Sequence, residues 1–153
     1  MMLSASSPES SSIRGSLLAL RRALGRFPTP ILELAFRIGV ASVFFKSGLT
    51  KLPSWDTTVL LFAEEYRVPL LPPEIAAYMG TTLELACPVL IVFGFLARLG
   101  ALGLLGMTLV IQIFVYPENW SEHLMWAALL GYIFTRGAGA ISIDHLIARR
   151  WLQ

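Results

Sequence analysis

The chain has 153 residues, of which 56% are hydrophobic and 14% charged, and its mean hydropathy is +0.68. That composition excludes an ordinary soluble domain, whose surface needs more charge than this sequence supplies, and the length fits one compact bundle. The formal net charge of +2 is small, so the placement of the basic residues says more than their sum, and the single cysteine, Cys87, can form no internal disulfide.

Residues 1–12 are a serine-rich polar start, expected to be disordered. From Ile13 to Arg26 the pattern changes. Ile13, Leu17, Leu20 and Leu24 recur at helical spacing with Arg14, Arg21, Arg22 and Arg26 between them. This is a short amphipathic basic helix, suited to an anionic leaflet. A cleaved targeting peptide is disfavoured, because the next apolar run is too long for a signal core and carries Glu33 and Arg37. Four apolar stretches follow, at about Ile31–Leu49, Ile75–Leu96, Leu99–Val115 and Trp120–Phe134. A helix needs ~20 residues to cross ~30 Å of hydrocarbon. The first two stretches reach that length, and the last two must use their flanks or a thinned bilayer. The runs are long and lack alternation, so they read as helices.

Punctuation supports these bounds. Pro53 follows the first span, Pro72 and Pro73 open the second, and Arg98 separates the second from the third. Pro117 and Asn119 make the next turn, and Gly137 and Gly139 close the fourth span. Ser142 is placed to cap a final short helix holding Asp144, His145, Arg149 and Arg150. Between spans one and two, Asp56–Arg67 reads as a short interfacial helix with Asp56 as its N-cap. The expected fold is therefore all-α: an integral membrane four-helix bundle with an amphipathic N-terminal helix and an interfacial helix. Its divisions are a polar tail at 1–29, a four-span domain at 30–147 and a short tail at 148–153. Arginines gather before span one, at Arg98, and after span four, while most carboxylates fall on the opposite side. Both termini are accordingly expected in the cytoplasm.

Charge inside hydrocarbon costs ~2.5–3.5 kcal/mol per group even on insertion scales, so Glu33, Arg37, Lys46 and Glu84 need reasons. On span one, Glu33, Arg37, Ala41, Phe44, Gly48 and Lys51 share a face, and Lys46 lies nearly opposite. Gly48 would admit another helix closely. Glu84 falls near the middle of span two, where a neighbouring Arg37 is expected to reach it. Pro88 cannot donate to the carbonyl of Glu84, which adds a free acceptor and a kink beside the carboxylate. Lys51 and His123, at the outer ends of their spans, would form the mouth of a pocket floored by Glu84 and Arg37. Glu33, Arg37, Lys51, Glu84 and His123 are thus the candidate site, with a packing role and a functional role both open. Trp120 and Trp126 read as an interfacial belt. Gly100, Gly103 and Gly106 read as packing residues, and Gln112 as an interhelical hydrogen bonder. Met79, Met107, Met125 and Cys87 are soft atoms without tight metal-ligand spacing. No phosphate-binding glycine loop, zinc cluster, hydrolase elbow or nucleic-acid surface is present in the pattern.

Several segments together resemble the DoxX family. Arg37-Ile38-Gly39 through Phe44, Gly48, Lys51 and Leu52 resembles its first span, and Glu84, Gly94 and Arg98 its second. Trp120-x-x-His123-Leu124-x-Trp126, Arg136-Gly137-x-Gly139 and Ser142-x-Asp144 resemble its end. The resemblance runs over about residues 30–147. It implies a four-helix membrane bundle in a bacterial inner membrane. It also implies a membrane subunit of a redox system, linked to quinone or to oxidative and sulfur stress. No cofactor motif carries over residue by residue; quinone is the candidate cofactor, and a soluble or membrane redox protein or a further copy of the chain the candidate partner. Two other expectations stand beside it: a transport or copper-stress component without enzymatic activity, and an anchor for a soluble partner.

Overall fold

The computed structural model describes residues 8–26 and 28–151, and among them the fold is all-α. Helix α1 spans Pro8–Gly25. It starts earlier than expected, because a proline is well tolerated in a first helical turn. Residues 8–12 are therefore helical rather than disordered; residues 1–7 lie outside the described residues. Leu17, Leu18 and Leu20 of α1 are exposed.

The four apolar stretches become four long helices. Helix α2 covers Thr29–Lys51, with proline in its first turn. Helix α4 covers Pro73–Phe93 and runs through Pro88. Helix α5 covers Ala97–Val110 and continues into a π-helical turn at Ile111–Val115. Helix α6 covers Trp120–Arg136. Gly94 ends α4 in the left-handed region (φ 64°), and Phe95 N–H returns to Leu90 O at 3.0 Å, the reversal that a glycine there permits. Helix α2 packs on α4, α4 on α5, α5 on α6, and α6 closes back on α2.

Small residues set the close approaches. A Cβ at Gly48 would lie 2.8 Å from Leu85 Cδ2, which brings α2 against α4; one at Gly100 would lie 3.1 Å from the Cys87 carbonyl and one at Gly103 3.1 Å from Cys87 Sγ. Gly106 faces open space and has no such role. The core gathers Val40, Phe44, Ile91, Leu104, Leu130 and Ile133. Its polar complement is unusual: Arg37, Lys51, Glu84, Gln112 and His123 are all buried, while Leu99, Leu102, Leu109, Ile113, Leu124 and Phe93 are exposed. A soluble bundle distributes these classes the other way.

Among the described residues, α4 and the continuous Ala97–Val115 helix are long and apolar enough to cross a membrane. The two other bundle helices differ for identifiable reasons. Every eighteen-residue stretch of α2 contains three of Glu33, Arg37, Lys46 and Lys51, and α6 has 17 residues.

The segment after α2 forms α3, Trp55–Leu61, followed by a second π-helical turn, Phe62–Tyr66. Ser54, not Asp56, caps α3, its hydroxyl accepting from Thr57 N at 3.4 Å. Asp56 occupies the first turn, where its charge meets the positive helix end. This segment packs down on the N-terminal half of α4. Phe62 clusters with Ala76 and Ala77, a Cβ at Gly80 would touch Phe62 at 2.8 Å, and the Trp55 ring lies 4.4 Å from that of Tyr78. After α6, helix α7 covers Ile143–Trp151.

Candidate functional site

The close contact at Gly48 decides which cation meets Glu84. One turn beyond Gly48, the last residue of α2 is Lys51, only 4% exposed. Its Nζ lies 2.7 Å from Glu84 Oε2 and 2.9 Å from Oε1. Ser47, four residues before Lys51, joins them: its hydroxyl donates to Glu84 Oε1 at 2.9 Å and accepts from Lys51 Nζ at 3.0 Å. Thr58 of α3 donates to the Lys51 carbonyl at 2.7 Å and ties the overlying segment to the end of α2. Tyr66 covers the pair, its ring centre 6.0 Å from Nζ. Thr81, one turn before Glu84, is buried with its hydroxyl unpartnered among the described residues.

A cavity of about 140 Å³ adjoins the pair. Glu84 and Tyr66 bring polar groups to it, and Phe62, Leu83, Met107 and Ile111 are among its apolar walls. Both π-helical turns contribute lining residues. Such turns offset the hydrogen-bond ladder by one residue and recur at functional sites. Tyr116, just past the Ile111–Val115 turn, donates to Glu65 in the Phe62–Tyr66 turn and packs edge-on to Tyr66, ring centres 6.0 Å apart. The hydrogen bond to Glu65, with burial second, holds the Tyr116 phenol above its ordinary pKa. Burial first, and then the carboxylates of Glu84 and Glu65, push Tyr66 upward as well.

Arg37 does not reach Glu84. Its guanidinium donates to Ile91 O at 3.4 Å and to Ile141 O, at the far end of α4. Ile91 is seven residues beyond Glu84, about 10 Å along a helix, so Arg37 and Lys51 serve different levels of the bundle. At the Arg37 level the chain is clasped. Asp144 accepts from Leu96 N at 2.9 Å and Ala97 N at 3.2 Å, steadying Leu96 at φ 49°, and returns its own N–H to Gly94 O at 2.8 Å. A non-glycine residue in that left-handed region needs such fixing. Ser142 caps α7 through His145 N at 3.1 Å. Glu33 accepts from Tyr132 at 3.1 Å and forms no ion pair with Arg37.

His123 does not join Lys51 either. It is buried between α5 and α6, with Nδ1 at 2.7 Å from Gln112 Oε1; Gln112 Nε2 donates to Pro117 O at 2.7 Å. Its ring lies 5.1 Å from Trp126, which meets Phe44 edge-on at 5.2 Å. It borders a separate apolar groove with Thr108, Gln112 and Trp120. The expected single pocket is thus three places: Lys51–Glu84, the Arg37 clasp and the His123–Gln112 pair. Lys46 is exposed, as its opposite helical face requires. Among the described residues no three His, Cys, Asp or Glu side chains gather to hold a metal ion. Sequence reasoning missed Ser47, Tyr66 and Tyr116. The four-residue spacing of Ser47 and Lys51 is a legible signal; Tyr116 carries none, because only the tertiary fold brings it to Glu65.

The DoxX family model matches residues 32–117, more than half of the chain and the stretch holding both members of the ion pair. An uncharacterized protein of Haemophilus influenzae strain Rd is 29% identical over 140 residues, covering 78% of this chain and 89% of that protein. No solved structure matches. With its buried charges, its apolar exterior and this match, the chain belongs to the DoxX family of membrane proteins.

Proposed function

We propose that the chain crosses a bacterial inner membrane four times, with both ends in the cytoplasm, and serves as the membrane subunit of a redox system that receives a quinone head group beside Lys51 and Glu84. The four-span reading is supported by the bundle order of α2, α4, α5 and α6 and by the apolar residues on their outer faces. The orientation is supported by the arginines before α2, at Arg98 and after α6. Reporter fusions at Gln153 test it; an external C-terminus would overturn it.

One observation carries the functional reading: a buried ion pair with a carboxylate and a phenol bordering an apolar cavity at the end of α2. An ionic pair in a membrane core is costly to keep, and its usual use is to handle charge or a polar ligand. The residues fit a quinone. The aromatic rings of Phe62 and Tyr66 offer flat walls, and the Tyr66 hydroxyl a donor for a carbonyl. A bound quinone supplies two-electron, two-proton chemistry. The chain's own part is to orient the ring and to keep water out beneath the Phe62–Tyr66 turn, with Lys51 and Ser47 fixing the Glu84 carboxylate. Native mass spectrometry of protein extracted from quinone-containing membranes tests this. Retained quinone, lost in Glu84→Gln and Tyr66→Phe with the fold intact, is expected; absence of quinone from the wild type overturns it. Met79 and Met107 border the same cavity, which favours copper(I) as a second reading. Copper(I) bound in place of quinone, and lost in Met107→Leu, would select it.

A further inference from the structure

At the opposite end of the bundle, the first turn of α5, the α6–α7 loop and the starts of α2 and α7 border a groove of about 600 Å³. Arg98, Arg136, His145, Glu33 and Asp144 border it. Its acids are already engaged. Both oxygens of Asp144 accept backbone N–H groups at Leu96 and Ala97, and Glu33 accepts from Tyr132. Its cations are not. Among the described residues neither Arg98 nor Arg136 forms an ion pair, and Arg98 makes one long contact, 3.5 Å to Thr135 O.

The groove wall also holds Arg98 in place. Its guanidinium lies over Gly137, where a Cβ would sit 3.6 Å from Nε and 3.7 Å from Nη2. Gly137 has φ +84°, so the turn that supports Arg98 favours glycine. Beneath the groove, Arg37 adds a third cation. Its Nη1 would be 2.5 Å from a Cβ on Gly94, next to Ser142 and Ala138 of the groove, and its buried Nε has no partner. Two guanidinium groups thus border the groove beside two hydrogen-bonded carboxylates, with Arg37 buried beneath them.

We propose that this groove binds the phosphate of an anionic phospholipid headgroup, with Arg98 and Arg136 as its donors. A phosphate oxygen pair matches the fork of a guanidinium, which lysine would not supply. The neighbouring surface favours a lipid over free phosphate: Leu99, Phe95 and Phe134 are exposed beside the two arginines, where acyl chains would lie. Basic pockets between membrane helices are a general form of headgroup site. The inference rests on the membrane reading above, but not on the quinone site, which lies at the other end of the bundle.

The test uses the full chain reconstituted in nanodiscs of phosphatidylcholine and phosphatidylglycerol, with bound lipid counted by native mass spectrometry. Wild type is expected to retain phosphatidylglycerol preferentially. Arg98→Gln with Arg136→Gln should weaken that preference by a factor of about five for each arginine. Arg149→Gln with Arg150→Gln removes equal charge from the exposed end of α7 and should leave it unchanged. Equal losses in the two double variants would mean diffuse attraction and overturn the site, as would displacement of the lipid by inorganic phosphate. A photoactivatable phosphatidylglycerol on the wild type avoids dependence on variant folding. Crosslinks should map to residues 95–99 and 134–145, and crosslinks confined elsewhere would sink the proposal. Failure of the chain to enter nanodiscs of any composition would instead overturn the membrane reading.

Discussion

Replacing Lys51 with methionine tests the central geometry most directly. Lys51 Nζ lies 2.7 and 2.9 Å from the two oxygens of Glu84, and both side chains are at most 8% exposed. Lys51→Met keeps the length and removes the cation, stranding a carboxylate whose remaining donor is the Ser47 hydroxyl. Breaking a buried pair from one side costs about 3–5 kcal/mol. Glu84→Leu strands the ammonium and should cost a similar amount. The double variant places two apolar side chains face to face, and such replacements are often neutral or stabilising. The double variant should therefore be more stable than either single one, with a coupling energy of at least about 2 kcal/mol. Reversible unfolding in mixed micelles, followed by fluorescence of the four tryptophans, provides the measurement. Additive costs, with the double variant the least stable of the three, would refute direct pairing of Lys51 and Glu84.

Three further outcomes are expected. Arg37→Met removes donors from Ile91 O and Ile141 O and should cost about 3 kcal/mol; amide exchange should rise at residues 94–97 and 141–145, and unchanged exchange there would contradict the clasp. Gly48→Ala forces a methyl to within 2.8 Å of Leu85 and 3.0 Å of Glu84 Cβ, costing about 1–3 kcal/mol, whereas Gly106→Ala, with open space around it, should cost nothing measurable in the same unfolding assay. Tyr116 is held above its ordinary pKa of 10.0 chiefly by its hydrogen bond to Glu65. A raised folded-state value means that its contribution to stability is complete below pH 10 and is lost as pH rises through the folded value. Glu65→Gln should therefore let Tyr116 ionise at lower pH in an ultraviolet tyrosinate titration; an unshifted curve would remove Glu65 as the cause.

What the sequence determined by itself is one-dimensional. Runs of apolar residues and their proline and glycine boundaries gave α2, α4, α5 and α6 to within a few residues, because helix length and termination are local properties. The shared face of Arg37, Gly48 and Lys51 was legible for the same reason, since a helix fixes angles between its own residues. The partner of each charge was decided only by the tertiary structure. Arg37 and Lys51 are both on the inner face of α2, and either could have been drawn against Glu84. The choice follows from the vertical register of α2 and α4, set where Gly48 meets Leu85 and Glu84. That contact places Lys51 at the carboxylate and leaves Arg37 about 10 Å away at the end of α4. His123 went to Gln112 because α5 and α6 pack together there. Buried charges announce that they need partners; the sliding of one helix along another names them, and no spacing within a single helix encodes that distance.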